Sequence, residues 1–262
     1  ANGPTRMTRT LLLTGYARSG ITLTHRLLSA HPDGYLADRI ALDFLADAMT
    51  AYRQERGVVD SAYPLDSLFG GPLTLDEITA AFRTRRWPWP PAERSHEPPA
   101  DGTIGVILSH MAAAAARRAE RPASTVVGLR EHFVEALAPA LVEQGVCVLV
   151  LLRNPMDVVA SARLGDHGFA LNRRVTVLDM VRQWRKSVAV ALTLEGHPLF
   201  RAVRYEDLVT ERGTWESICS WLGLTAVPAG DLLAPEQDHP WAGNSSFEIH
   251  RGLSRSPIGR GA

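Results

Sequence analysis

Thr10-Leu11-Leu12-Leu13-Thr14-Gly15-Tyr16-Ala17-Arg18-Ser19-Gly20-Ile21-Thr22 is the stretch on which the fold turns. Residues 10–14 read as a short apolar strand. A glycine-rich turn follows, and then a helical pattern with Leu23, Leu27 and Leu28 on one face that ends near His31-Pro32-Asp33-Gly34. A strand, a glycine turn and a helix in succession aim backbone N–H groups and a helix N-terminus at an anion. Gly15 and Gly20 have the spacing of a P-loop, but Ile21-Thr22 stands where a nucleoside triphosphate would need Lys followed by Ser or Thr. The only cation in the loop is Arg18. The loop is therefore expected to hold one phosphate and a second small anionic group, with no evident magnesium requirement. A plain strand–helix turn would also account for the two glycines.

A second strand runs into charge further along the chain. Val146 to Leu152 is an uninterrupted apolar run, the pattern of a strand buried on both faces. It leads directly into Arg153-Asn154-Pro155-Met156-Asp157-Val158-Val159-Ala160-Ser161. Pro155 suits a first helical turn and Asn154 an N-cap. Arg153 then sits at the carboxyl end of a central strand, where open α/β sheets bind ligands, with Ser161 two turns into the helix. Arg and a hydroxyl converging there would suit a second phosphate. Taken alone, a surface Arg and a satisfied helix Ser would do as well. Two phosphate sites on one sheet imply a nucleotide phosphorylated at both ends.

Other elements place these motifs in an α/β frame. Strands are expected over 125–129 and 200–204, and helices over 105–118, 133–143, 156–163, 175–194 and 215–222. Strands alternating with helices predict one domain over 7–262, with a central parallel sheet flanked by helices and a P-loop-like strand–loop–helix. Residues 35–124 are expected to form a mostly helical and loop insertion on the acceptor side. It holds helices over 40–54 and 75–83, a loop over 60–71 and the proline-rich connection 87–99.

Composition narrows the function classes. The formal net charge is zero, with 28 basic and 28 acidic residues, which argues against a nucleic-acid binder. Lys186 is the only lysine, so Arg must stand wherever a cation is needed. Cys147 and Cys219 read as buried thiols, with neither disulfide nor metal spacing. Leu11-Leu12-Leu13 is too short for a secretory h-region, and no apolar run would span a membrane, so a cytoplasmic protein without membrane partner is expected.

With these motifs in hand, the chain resembles the superfamily of sulfotransferases that use 3′-phosphoadenosine 5′-phosphosulfate (PAPS). Gly15 to Thr22 resembles the 5′-phosphosulfate loop, in the Arg-Ser-Gly version of many bacterial and tyrosylprotein members; cytosolic members carry Lys at the position of Arg18. Arg153 to Ser161 resembles the 3′-phosphate motif, with Arg and Ser eight positions apart. Val203-Arg204-Tyr205-Glu206-Asp207-Leu208 resembles the segment near adenosine, and Asn244-Ser245-Ser246-Phe247 with Arg251-Gly252 the segment that closes over adenine and the 3′-phosphate. The resemblance implies sulfuryl transfer from PAPS to a hydroxyl acceptor, leaving adenosine 3′,5′-bisphosphate, with no metal. It implies cofactor contacts from Ala17, Arg18, Ser19, Gly20, Ile21, Thr22, Leu23, Arg153, Ser161, Tyr205, Phe247, Arg251 and Gly252. Arg130-Glu131-His132 resembles the Lys-x-His element, in which His deprotonates the acceptor and the cation touches the sulfuryl oxygens. His132 is thus a candidate base, its pKa suited to the task near neutrality, although a His after a strand can also be a capping residue. Asp38 is the alternative base; His31 and His110 read as structural. The acceptor is expected to be a small natural product or carbohydrate. A P-loop-like kinase and a non-catalytic nucleotide-binding module are the competing functions.

Overall fold

The computed structural model describes residues 8–38, 102–132, 134–164 and 176–233. They form one α/β domain around five parallel strands: β1 (Arg9–Gly15), β2 (Gly34–Asp38), β3 (Val126–Arg130), β4 (Cys147–Leu152) and β5 (Phe200–Arg204), in the spatial order β2-β3-β1-β4-β5. The helices are α1 (Ile21–Ala30), α2 (Ile104–Arg118), α3 (Ala138–Glu143), α4 (Pro155–Leu164), α5 (Val177–Thr193), α6 (Tyr205–Thr210), α7 (Arg212–Leu222) and α8 (Ala229–Leu232).

Alternation along each strand divides the core in two. Leu12, Val127, Leu129, Val148 and Val150 face a layer built from α2, α3 and α5. Leu11, Leu13, Cys147, Leu149, Leu151 and Val203 face the other layer, from α1, α6, α7 and α8. Parallel strands covered on both faces read as continuous apolar runs, which is why β4 is nearly all Leu and Val and the middle of β1 is three leucines. Each such side chain, fully buried, stabilises the fold by about 1.5–3 kcal/mol before conformational entropy is subtracted.

The structure departs from the sequence reading in several places, the short helix α8 near residue 230 being one. Gly34–Asp38, to which no element was assigned, is the edge strand β2, paired in register with β3. The helix expected over 133–143 is a 3-10 turn, Glu135–Leu137, followed by α3 from Ala138. Pro139 lies in the first turn of α3, where its missing N–H leaves no helical hydrogen bond unmade. A short helix, α6, begins directly at the end of β5. The ends of the stretch 35–124 are integral to the sheet and core as β2 and α2. The elements expected over 40–54, 60–71, 75–83 and 87–99 lie outside the described residues.

Chain direction creates the crevice. From β1 the chain leaves toward β2 and β3, whereas from β4 it leaves toward β5 on the other side. The carboxyl ends of the neighbours β1 and β4 therefore diverge, the arrangement in which open α/β sheets bind their ligands. Both charged motifs lie at that divergence.

Candidate functional site

The loop after β1 is wound tightly. Gly15 has φ 146°, and a Cβ there would run into the carbonyl oxygen of Leu151 on β4. Arg18 has φ 71°, left-handed backbone that a non-glycine residue adopts rarely and at a cost. Gly20, φ 94°, precedes α1 without a side-chain cap, so donors of the first helical turn face the loop. Ser19 Oγ is buried and has no hydrogen-bond partner among the described residues. Buried hydroxyls normally have partners, which makes this one an exception.

Arg18 and the residues after β4 meet. Arg18 Nε donates to Ser161 Oγ at 3.0 Å, and an Arg153 guanidinium nitrogen donates to the carbonyl of Arg18 at 3.0 Å. The Arg153 guanidinium lies 4.6 Å above the Tyr205 ring, a cation–π contact. The same ring occupies the space that a Cβ on Gly20 would need. Asn154 caps α4 as expected, its side-chain oxygen accepting from Met156 N at 2.9 Å. Sequence reading assigned Arg18 and Ser161 to opposite ends of one nucleotide; the structure brings their side chains into contact, so the two anion motifs share a border.

This convergence is electrostatically costly by itself. Burial first, and the like charge of Arg153 second, push the Arg18 pKa down, with Tyr205 acting in the opposite direction. Burial likewise lowers that of Arg153, offset in part by Tyr205, Asp157 and Glu206. Both guanidiniums nonetheless stay charged, since arginine is effectively always protonated in proteins. Two partly desolvated cations side by side are stabilised by an arriving anion.

Backbone geometry brings the remaining candidates to the same edge. Arg130 ends β3, in register with Leu13 of β1 and Asp38 of β2, and donates to Thr22 Oγ1 at 3.3 Å. Glu131 N donates to the carbonyl of Leu13 at 2.9 Å, so His132, which is buried, leaves the sheet beside the end of β1. Asp38 is the last residue of β2. Ile21 and Leu23 bury their side chains in the core under α1, leaving only their backbone for an anion. Ala17 is buried too. Phe247, Arg251 and Gly252 lie outside the described residues.

Sequence reading missed one contact to the site. Trp184 Nε1 of α5 donates to the carbonyl of Arg153 at 2.7 Å. A tryptophan on the inner stripe of a helix reads as core, and nothing local signals its partner.

The family model described as "Sulfotransferase family" matches residues 11–228, most of the chain. The chain belongs to the sulfotransferase family. Among solved structures, it is similar to the sulfotransferase domain of the Synechococcus PCC 7002 olefin synthase, with 20% identity, coverage of 91% of this chain and 81% of that one, and a TM-score of 0.51. It is also similar to the sulfotransferase domain from the curacin biosynthetic pathway, with 19% identity, coverage of 97% and 90%, and a TM-score of 0.54. At these identities the likeness concerns the fold. Curated proteins gave no match. Among the described residues of this sulfotransferase, no cluster of three or more His, Cys, Asp or Glu could hold a metal, and no helix is long and apolar enough to cross a membrane.

Proposed function

We propose that this sulfotransferase moves a sulfuryl group from PAPS to the hydroxyl of a small natural product or carbohydrate. The observation that carries the reading is the meeting of Arg18, Ser161 and Arg153 at the divergence of β1 and β4. That meeting makes one continuous anion site from two motifs, as a nucleotide phosphorylated at both ends requires. Ser19 Oγ, which has no partner among the described residues, and the first turn of α1, which has no side-chain cap, fit the 5′ end of such a molecule.

When bound, PAPS supplies the activated sulfuryl group. The loop 16–20 and the first turn of α1 bind its 5′ side through backbone N–H groups and Ser19, with Thr22 and Arg130 beside them. Arg18 faces the charge that grows as the leaving oxygen separates; Arg does not release a proton, so its contribution is electrostatic. Arg153 and Ser161 hold the 3′-phosphate, with Tyr205 fixing the Arg153 guanidinium from beneath. His132 accepts the acceptor's hydroxyl proton on a ring nitrogen, with Asp38 the alternative. Little covalent work is left to the protein, since transfer of this kind depends on positioning and charge.

The test is an acceptor screen with labelled PAPS. Label arriving on a hydroxyl compound supports the reading. Phosphoryl transfer from ATP with Mg²⁺ would replace it with a kinase, and tight bisphosphate binding with no transfer to any acceptor would leave a binding module.

A further inference from the structure

One helix touches the segments that follow β1, β3 and β4. The inward stripe of α5 runs Met180, Trp184, Ser187, Val190, at the three- and four-residue spacing that keeps side chains on one face. Met180 packs in a buried cluster with Tyr16 of the loop after β1 and with Val158 and Ala162 of α4. Trp184 donates to the carbonyl of Arg153, the residue leaving β4. Ser187, fully buried, donates through a short hydrogen bond to the carboxyl of Glu135, three residues past His132. That carboxyl is also within reach of Thr14 Oγ1 at 3.4 Å, near the end of β1. One turn further along, Val190 and Ala191 anchor the stripe in the core.

Each of these bonds fixes something a strand cannot. Strands set the register of Arg130, Leu13 and Val150, but Arg153 and His132 lie past the ends of their strands, where ladder hydrogen bonds stop. A half-buried indole N–H on a backbone carbonyl and a buried carboxyl–hydroxyl pair add restraints there. They lie on one rigid element, three residues apart.

We propose that Trp184 and Ser187 are positioning residues, and that α5 sets the placement of Arg153 and His132 through two separate contacts. Trp184 acts on Arg153 through its carbonyl, and Ser187 acts on the turn carrying His132 through Glu135. This rests on the roles assigned above to Arg153 and His132. If those roles are separate, so are the effects of losing each contact. A weakened Arg153 costs nucleotide affinity, and a loosened His132 costs turnover.

The experiment compares Trp184→Phe, Ser187→Ala, Ser187→Thr and Leu192→Gln, the last on an exposed position of α5. Affinity is measured by calorimetry with adenosine 3′,5′-bisphosphate, and turnover with PAPS. Trp184→Phe keeps the ring and loses the N–H. It should weaken bisphosphate binding roughly two- to tenfold, the scale of one neutral hydrogen bond, with turnover within about twofold. Ser187→Ala should lower turnover by a similar factor and leave binding within about twofold, and Ser187→Thr should restore it. Leu192→Gln should change neither. A general loosening of the fold moves affinity and turnover together, so parallel losses in both variants, or no loss in either, overturn the proposal. If the wild-type protein does not bind the bisphosphate, the functional reading fails. The positioning claim is then decided by histidine ring NMR signals of the ligand-free proteins, with His132 assigned by substitution. Ser187→Ala shifting the His132 signals while Trp184→Phe leaves them in place supports the claim, and any other pattern overturns it.

Discussion

The two ends of the sheet use the same residue types in opposite ways. At the amino end, Arg121 donates to the carbonyls of His31, Pro32 and Gly34 at 2.7, 3.1 and 2.8 Å, and to that of Ser29 at 3.4 Å. It closes the end of α1 and the turn into β2 with one guanidinium. The buried His31 is equally committed: its Nε2 meets the carbonyl of Thr225 at 2.7 Å and its Nδ1 accepts from Asp33 N at 3.1 Å. These contacts tie both ring nitrogens to the backbone and fix the ring's orientation. At the carboxyl end, Arg18 and Arg153 are crowded against one another, and Arg18 sits on left-handed backbone. One end spends its arginine on the chain's own carbonyls. The other holds two cations in an arrangement that gains from an anion, the pattern expected where stability is given up for binding.

The largest effect belongs to the carboxyl end's own histidine. His132→Ala should lower turnover by about 10²-fold or more while adenosine 3′,5′-bisphosphate affinity stays, the usual scale for a general base. Unchanged turnover, with Asp38→Ala inactive, would move the base to Asp38.

Next in size are the two arginines, each losing a charge-assisted contact and hence roughly ten- to hundredfold. The parameter that falls should differ. Arg153→Ala should mainly raise the Michaelis constant for PAPS, because the 3′-phosphate is the same before and during reaction. Arg18→Ala should mainly lower turnover, because the charge it meets grows only as the bond breaks. Arg18→Lys should keep part of the activity. Steady-state kinetics of the three variants checks this.

Arg121→Ala sharpens the contrast from the amino end. It should lower stability by about 1–3 kcal/mol, or about 2–4 °C in Tm for each kcal/mol in a chain of this size. Bisphosphate affinity should stay within about twofold by calorimetry. A loss of affinity matching that of Arg153→Ala would erase the distinction between the ends.

The smallest effect is a pH slope. Burial pushes the Glu135 carboxyl above the ordinary carboxylate range, against hydrogen bonds from Ser187 and Thr14 and the charge of Lys186, which pull it down. The folded state therefore holds this proton more tightly than the unfolded chain. The stability it contributes is complete below the unfolded carboxylate pKa and is lost as pH rises through the folded one. Glu135→Gln should flatten that decline in denaturant titrations run from about pH 4 upward. Parallel curves for the two proteins would show that Glu135 carries no such linkage.

How much was legible in the sequence follows from how local each signal is. β4 was readable because a strand buried on both faces needs an apolar run, whatever surrounds it. β2 was not, since it is an edge strand of Gly34 to Asp38 in which only Tyr35, Leu36 and Ala37 reach the core, too short a run to betray it. Arg18, Arg153 and Ser161 were legible because anion contacts collect where strands end and helices begin, and both boundaries carry Gly or Pro. Trp184, Ser187 and Glu135 were invisible: their bonds join residues 31 and 52 positions apart in the chain, and each looks like core or helix surface on its own. The border between Arg18 and Ser161, 143 positions apart, likewise exists only in three dimensions.

The central claim is that two motifs form one site for a doubly phosphorylated nucleotide. Calorimetry with adenosine 3′,5′-bisphosphate and with AMP, in EDTA, on wild-type protein and Arg153→Ala, tests it most directly. The wild-type protein should bind the bisphosphate at least roughly tenfold more tightly than AMP, and Arg153→Ala should bring the two affinities together. Equal affinities in the wild-type protein, or a preference that survives Arg153→Ala, would contradict it.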